Sequence, residues 1–228
     1  IIARVMHSTN SSRSIGALLM DAGRITPEAA ERILKLQKDK NLRFGEAAIA
    51  LGLLTEDDIQ HALSRQFDYP YLTQNDTSVS QEVIAAFKPF SASVERLRAL
   101  RSQLMLRCLN PDSEDRSLAI VSAENGEGRS YIAANLAVVF SQLGERTLLI
   151  DADLRRPRQH QLFCLNNQSG LSAVLSGRAE PESVISRIPH LLGLSVLPAG
   201  VVPPNPQELL ARPTFSKLLE YARQHYDV

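Results

Sequence analysis

Apolar residues recur at three- and four-residue spacing through the first 66 positions, in two stretches whose patterns coincide. SIGALLMDAGRITPEAAERILKLQ (14–37) and RFGEAAIALGLLTEDDIQHALSRQ (43–66) align without gaps, matching at Gly16/Gly45, Gly23/Gly52, Thr26/Thr55, Leu34/Leu63 and Gln37/Gln66. This is an internal repeat with a period of 29 residues. In each copy a short apolar helix runs to a glycine suited to a left-handed C-terminal position. A threonine then caps a second helix with acids in its first turn. Pro27 suits the first helical position, and Glu56, Asp57 and Asp58 complement the positive end of the helix after Thr55. Two helical hairpins packed face to face are therefore expected, as a small all-α domain over residues 1–75.

From Asp68 to about Pro89 the periodicity fades and Pro, Asn, Asp, Thr and Ser gather. That composition marks a connector, placed at 76–90. SASVERLRALRSQLMLRCL then reads as a helix through Val94, Leu97, Leu100, Leu104 and Leu106, with Glu95, Arg98 and Arg101 three residues apart on one face. Next come an apolar run of strand length, Ser117 to Ser122, a helical stretch from Ser130 to Leu143 ended by Gly144, and the strand TLLID. This is the order of a βαβ unit. It predicts an α/β domain over 91–228 with a doubly wound parallel sheet.

Composition narrows the chemistry mostly by exclusion. Lys plus Arg and Asp plus Glu number 25 each, so the net charge favours neither nucleic acid nor an anionic membrane. The two cysteines, Cys108 and Cys164, lie far apart without CxxC spacing, which suits inert thiols in a reducing compartment. No apolar stretch reaches the roughly 20 residues of a spanning helix, and no signal-peptide pattern opens the chain. The sequence starts at Ile1 rather than methionine and stops at HYDV, where a new strand begins. Functional residues are accordingly expected beyond Val228.

The candidate chemistry sits in SAENGEGRSYIAANLAVVF (122–140), a glycine loop feeding a helix. Gly126 and Gly128 allow successive N–H groups to turn inward, the helix start favours phosphate, and Ser130 falls where a hydroxyl would reach Mg2+. The full pattern G-x-x-x-x-G-K-[ST] is broken twice, by Ala123 and by Arg129 in the lysine position. The following strand supplies the missing weight. TLLIDADLRRP ends in Asp151 and Asp153, two acids on one side of a strand end, converging on a phosphate-bound metal, with Arg155 beside them. Asn125, Gly126, Glu127, Gly128, Arg129, Ser130 and Tyr131 are the expected nucleotide contacts. Ser130, Asp151 and Asp153 are the expected metal ligands, and Arg129, Asp151, Asp153 and Arg155 the catalytic set. Asp151 is the candidate to orient a reacting hydroxyl. PPNPQELL (203–210) reads as a rigid turn into a helix that either borders an adenine pocket or simply starts a helix.

ENGEGRS, NLAVVFSQLGERTLLIDADLRRPRQHQLF, LSAVLSGRAEPESVI and LSVLPAGVVPPNPQELL, in that order and spacing, resemble the bacterial tyrosine kinases of exopolysaccharide export, the BY-kinases. The resemblance covers residues 90–228 and implies a P-loop NTPase fold. It also implies ATP or ADP with Mg2+ as cofactors, and a Walker A′ motif at Asp151, Asp153 and Arg155. It further implies a homo-oligomeric ring built through Glu95, Arg98 and Arg101, with tyrosines phosphorylated in trans. A membrane polysaccharide co-polymerase is the implied partner, which would hold the protein at the cytoplasmic side of the inner membrane. The repeat resembles the MshEN domains of type II secretion and pilus ATPases. Some of those bind cyclic di-GMP, which makes Arg13, Gly16, Arg43 and Gly45 candidate contacts, although Ser14 occupies the arginine slot of the first copy. Two rival classes remain: a MinD/ParA-type positioning ATPase, whose second loop lysine is Glu124 here, and a non-catalytic sensor or docking scaffold. Tyr131, Tyr221 and Tyr226 qualify as phosphoacceptors by residue type alone.

Overall fold

A computed structural model describes residues 14–56, 58, 59, 62, 63, 71–73, 75–109 and 116–228. The chain divides into two compact units, 1–69 and 70–228. Arg13 and Asp57 lie outside the described residues, as do 64–70.

In the first unit the repeat folds as its pattern dictates. Helices α1 (Ile15–Asp21), α2 (Pro27–Lys40) and α3 (Phe44–Ala50) are followed by helical residues at 56, 58, 59, 62 and 63. The Thr26 hydroxyl accepts the Ala29 N–H at 3.3 Å, and the Thr55 hydroxyl accepts that of Asp58 at 3.2 Å. Asp58 returns a bond to the Thr55 N–H at 2.9 Å, completing a reciprocal cap, and pairs with Arg24 of the first copy. Leu19, Ile33, Ala47, Ala48 and Ile59 form the core between the two copies.

The second unit is α/β. Its sheet is small and mixed, in the order β1 (Thr147–Ile150), β3 (Leu194–Leu197), β2 (Ser186–Arg187). β1 and β3 are parallel, with Thr147 opposite Leu194, and β2 runs antiparallel to β3. Side chains alternate across it. Leu149, Leu194 and Val196 pack on α6 (Arg129–Ser141), while Leu148, Ile150 and Leu197 meet α8 (Leu171–Leu175), α10 (Pro206–Leu210) and α11 (Pro213–His225). Helices on both faces are the layering expected of a doubly wound domain.

Two expectations are corrected. Residues 76–90 are no linker: Val79, Val83, Ala85, Ala86 and Phe87 join the core around α6, with 84–87 forming the short helix α4. The polar surroundings of VIAAF hid a buried segment. Residues 117–122 do not form a strand among the described residues. They carry no regular secondary structure, and Val121 is 82% exposed. A strand requires a paired edge, and the β1 edge away from β3 instead receives the chain end: Leu148 N–H donates to the Val228 carbonyl at 2.9 Å. No described helix is long and apolar enough to cross a membrane.

Candidate functional site

The glycine loop takes the shape its residues permit. Gly126 and Gly128 adopt φ of +84° and +87°, where a Cβ would be strained, and Gly128 caps α6. The loop is laced by its own polar groups. The Ser122 hydroxyl donates to the Glu124 carbonyl at 3.0 Å, and the Glu127 carboxylate accepts the Glu124 N–H at 3.2 Å. That N–H and the Ser122 hydroxyl hold the Glu127 carboxyl below the usual range.

Arg129 spans the loop. Its Nη1 donates to Ser122 Oγ at 2.6 Å and to the Glu124 carbonyl at 2.9 Å. Its Nη2 lies 3.5 Å from Asn125 Oδ1 and 3.7 Å from Asp153 Oδ2. The planar fork thus bridges the loop to the acid after β1, a set of contacts that a lysine ammonium cannot reproduce from one point.

Asp151 and Asp153 follow β1 and play different parts. Asp153 Oδ1 accepts the N–H groups of Arg155 (3.2 Å) and Arg156 (2.9 Å), which leaves Oδ2 toward Arg129. Asp151 is buried, and its Oδ2 accepts the N–H groups of Arg158 and Gln159, both at 2.9 Å. Among the described residues its Oδ1 takes only a long bond from Asp153 N–H, 3.3 Å. Burial pushes the Asp151 carboxyl above the usual range, against those three N–H donors.

A cleft of about 950 Å3 brings Ser122, Arg129, Ser130, Asp151, Asp153 and Arg155 together at one end. Pro206 and Gln207 of α10 line it too, so PPNPQELL both starts a helix and borders the cleft. Asn125, Gly126, Glu127 and Gly128 shape the loop. Tyr131 sits within α6, its carbonyl bonded to Asn135. The described residues contain no cluster of three or more His, Cys, Asp or Glu able to cage a metal. The Ser130 hydroxyl and Asp153 Oδ2 nonetheless have the donor chemistry for Mg2+, which is typically held by one or two carboxylates together with substrate phosphates.

Sequence reasoning missed the clamp behind the loop. Asn135, fully buried in α6, accepts the Ala85 N–H at 2.9 Å and donates to the carbonyls of Glu82 (3.1 Å) and Tyr131 (2.9 Å). Gln142 donates to the Ala85 carbonyl at 3.0 Å, and Arg158 makes a two-pronged pair with Glu82 at 2.7 and 2.8 Å. The one available signal was an asparagine inside the apolar run IAANLAVVF.

The Glu95, Arg98 and Arg101 set is only partly outward. On α5 (Ala92–Arg107), Arg98 pairs with Glu95 at 3.0 Å and stacks over Phe90. Arg101, half-buried, donates to the Val139 carbonyl at 2.9 Å where α5 packs on α6. In the first unit, packing accounts for both candidate glycines. A Cβ on Gly16 would stand 3.2 Å from the Phe44 ring, and one on Gly45 would stand 3.0 Å from Ile59. Arg43 starts α3, its N–H bonded to Glu46 at 2.8 Å.

No family model matches the chain. It is 41% identical over 152 residues to the tyrosine-protein kinase YwqD of Bacillus subtilis, covering 66% of this chain and 62% of that protein. It spans 20% of the tyrosine-protein kinase etk of Escherichia coli, and so less than two thirds of these curated relatives. The kinase domain of Escherichia coli tyrosine kinase ETK superposes with a TM-score of 0.63 at 38% identity, over 69% of this chain and 60% of that one. The BceF tyrosine kinase domain superposes at 0.58 and 30% identity, over 74% of this chain and 72% of that one. With the P-loop layering, the glycine loop and the paired aspartates in place, the chain belongs to the family of bacterial tyrosine kinases.

Proposed function

We propose that the chain is the kinase region of an ATP-dependent protein tyrosine autokinase that controls exopolysaccharide polymerisation, export and chain length. The observation that carries this reading is the single cleft in which Ser130, Asp151 and Asp153 face the glycine loop. Loop N–H groups and the start of α6 hold the β-phosphate. Arg129 exchanges its bond to the Glu124 carbonyl for the phosphates, keeping its charge at the loop. Ser130 and Asp153 Oδ2 would hold Mg2+, whose charge would offset that of the transferring group. Asp151 Oδ1, with one long bond and a raised pKa, accepts the proton of the tyrosine hydroxyl. The tyrosine oxygen then bonds the γ-phosphorus, the bridge to the β-phosphate breaks, and ADP leaves.

In this reading the protein acts from the cytoplasmic side of the inner membrane. It works through a membrane polysaccharide co-polymerase and in a ring of its own copies, to which Glu95 and Arg98 contribute. The helical unit serves as a docking or cyclic di-GMP-sensing head centred on Arg43. Calorimetric titration of the full chain with cyclic di-GMP separates those two roles, since heat that Arg43→Ala abolishes is expected only from sensing.

Mass spectrometry of the full-length protein after incubation with Mg-ATP is expected to find phosphotyrosine. Arg129→Ala should weaken ADP binding about 10- to 100-fold, the equivalent of charge-assisted hydrogen bonds worth about 1.5–3 kcal/mol. Arg129→Lys should retain binding and speed transfer. Nucleotide binding without phosphotyrosine in any variant would replace the kinase reading with a nucleotide-dependent regulator.

A further inference from the structure

Gln159 has no part in the scheme above, yet its side chain is tightly constrained beside the cleft. The residue is 4% exposed, and its main-chain N–H is bound to Asp151 Oδ2. Its side-chain Nε2 donates to the Ser130 carbonyl at 3.1 Å. That bond fixes the direction of the amide, because only the NH2 end can donate to a carbonyl. Oε1 is then left buried without a hydrogen-bond partner among the described residues. An orphaned buried acceptor is costly, and such groups are few in native proteins. Gln159 lines the same cleft as Ser130, Asp151 and Asp153, so the fitting donor is one that a ligand brings into the cleft.

We propose that Gln159 is a positioning residue for the metal-bound nucleotide, its Oε1 accepting a hydrogen bond from a water carried by Mg2+ beside Ser130. The inference rests on the nucleotide-binding reading above. Mg2+ gives up its waters reluctantly and retains several when it binds phosphate. A water polarised by the ion is a strong donor, and a neutral amide oxygen accepts from it without adding charge beside two aspartates. The bond from Nε2 to the Ser130 carbonyl ties the position of Oε1 to the loop residue whose hydroxyl meets the metal. Outer-shell partners of this kind typically change metal affinity or activity by about 10- to 100-fold.

The test titrates ADP into the full chain in EDTA and at graded Mg2+, for wild type, Gln159→Met and Gln159→Glu. Met removes both the donor and the acceptor at similar length, whereas Glu loses the donor to Ser130 but retains an acceptor oxygen. Both variants should lose affinity to a similar extent in EDTA. With Mg2+, Gln159→Met should lose about 10-fold or more of the metal-dependent gain, while Gln159→Glu keeps it. A wild-type Mg2+ response in the Met variant overturns the inference. Equal impairment of both variants at every Mg2+ level does so as well, because that is the behaviour of a purely structural pin. Should thermal melting show the Met variant unfolded, the Glu variant decides alone: a retained Mg2+ response supports the inference and a lost one sinks it. Wild type that binds no ADP under either condition defeats the nucleotide reading itself, independently of Gln159.

Discussion

Replacing Asn135 with alanine should be among the most damaging single changes near the site, although the residue touches no part of the cleft. Three main-chain hydrogen bonds disappear with the amide: one from the Ala85 N–H and two to the Glu82 and Tyr131 carbonyls. At about 1 kcal/mol net for each bond, the loss is about 3 kcal/mol. The Ala85 N–H is then left unpaired at a residue with no exposure, which adds about 1–2 kcal/mol of desolvation penalty. The total of about 4–5 kcal/mol is a large share of the about 5–15 kcal/mol typical of a folded domain. Ser141→Ala, on the same helix, is the control. Its hydroxyl bonds only the Val138 carbonyl of its own helix, which also accepts the Gln142 N–H, so removal should cost under about 1 kcal/mol. The chain has no tryptophan, so urea unfolding is followed by far-ultraviolet circular dichroism. Asn135→Ala should lower the midpoint of the transition that belongs to the second unit and leave that of the helical repeat in place. A shift no larger than that of Ser141→Ala would refute the clamp.

Gly170→Ala should destabilise the second unit by at least about 3 kcal/mol. The new Cβ would stand 2.1 Å from the Pro198 carbonyl and 2.6 Å from the Gly200 nitrogen, both main chain; an unchanged urea midpoint would show that this packing can open. Asp227 carries a pH signature. The Arg146 guanidinium and N–H hold its carboxyl below the usual range, so the pair stabilises fully above the ordinary aspartate value and fades as the pH falls through the depressed one. Asp227→Asn should therefore cost about 1 kcal/mol at neutral pH and converge with wild type in acid melts; a gap that persists at low pH would contradict this. Asp151 works in the opposite sense. Burial raises its pKa, so its own contribution to stability is fully present with the carboxyl protonated, below the ordinary aspartate value, and is lost as the pH rises through the raised one. Added Mg-ADP should recover part of that loss near neutral pH, as read from thermal melting with and without nucleotide.

The sequence alone determined what short-range chemistry governs. Thr26 and Thr55 cap their helices because a hydroxyl three residues from a free N–H needs nothing further away. Gly126 and Gly128 turn the loop for the same local reason, and the helices and the TLLI strand fall where their periodicity places them. Tertiary structure alone decided the rest, because each of those outcomes depends on a partner distant in sequence. The apolar run at 117–122 is not a strand without a neighbouring edge, and VIAAF becomes core only because α6 covers it. Arg101 donates to the Val139 carbonyl, which lies 38 positions away in the chain and within reach in space. Asp151 and Gln159 acquire their character through burial, which no spacing of residues along a chain encodes.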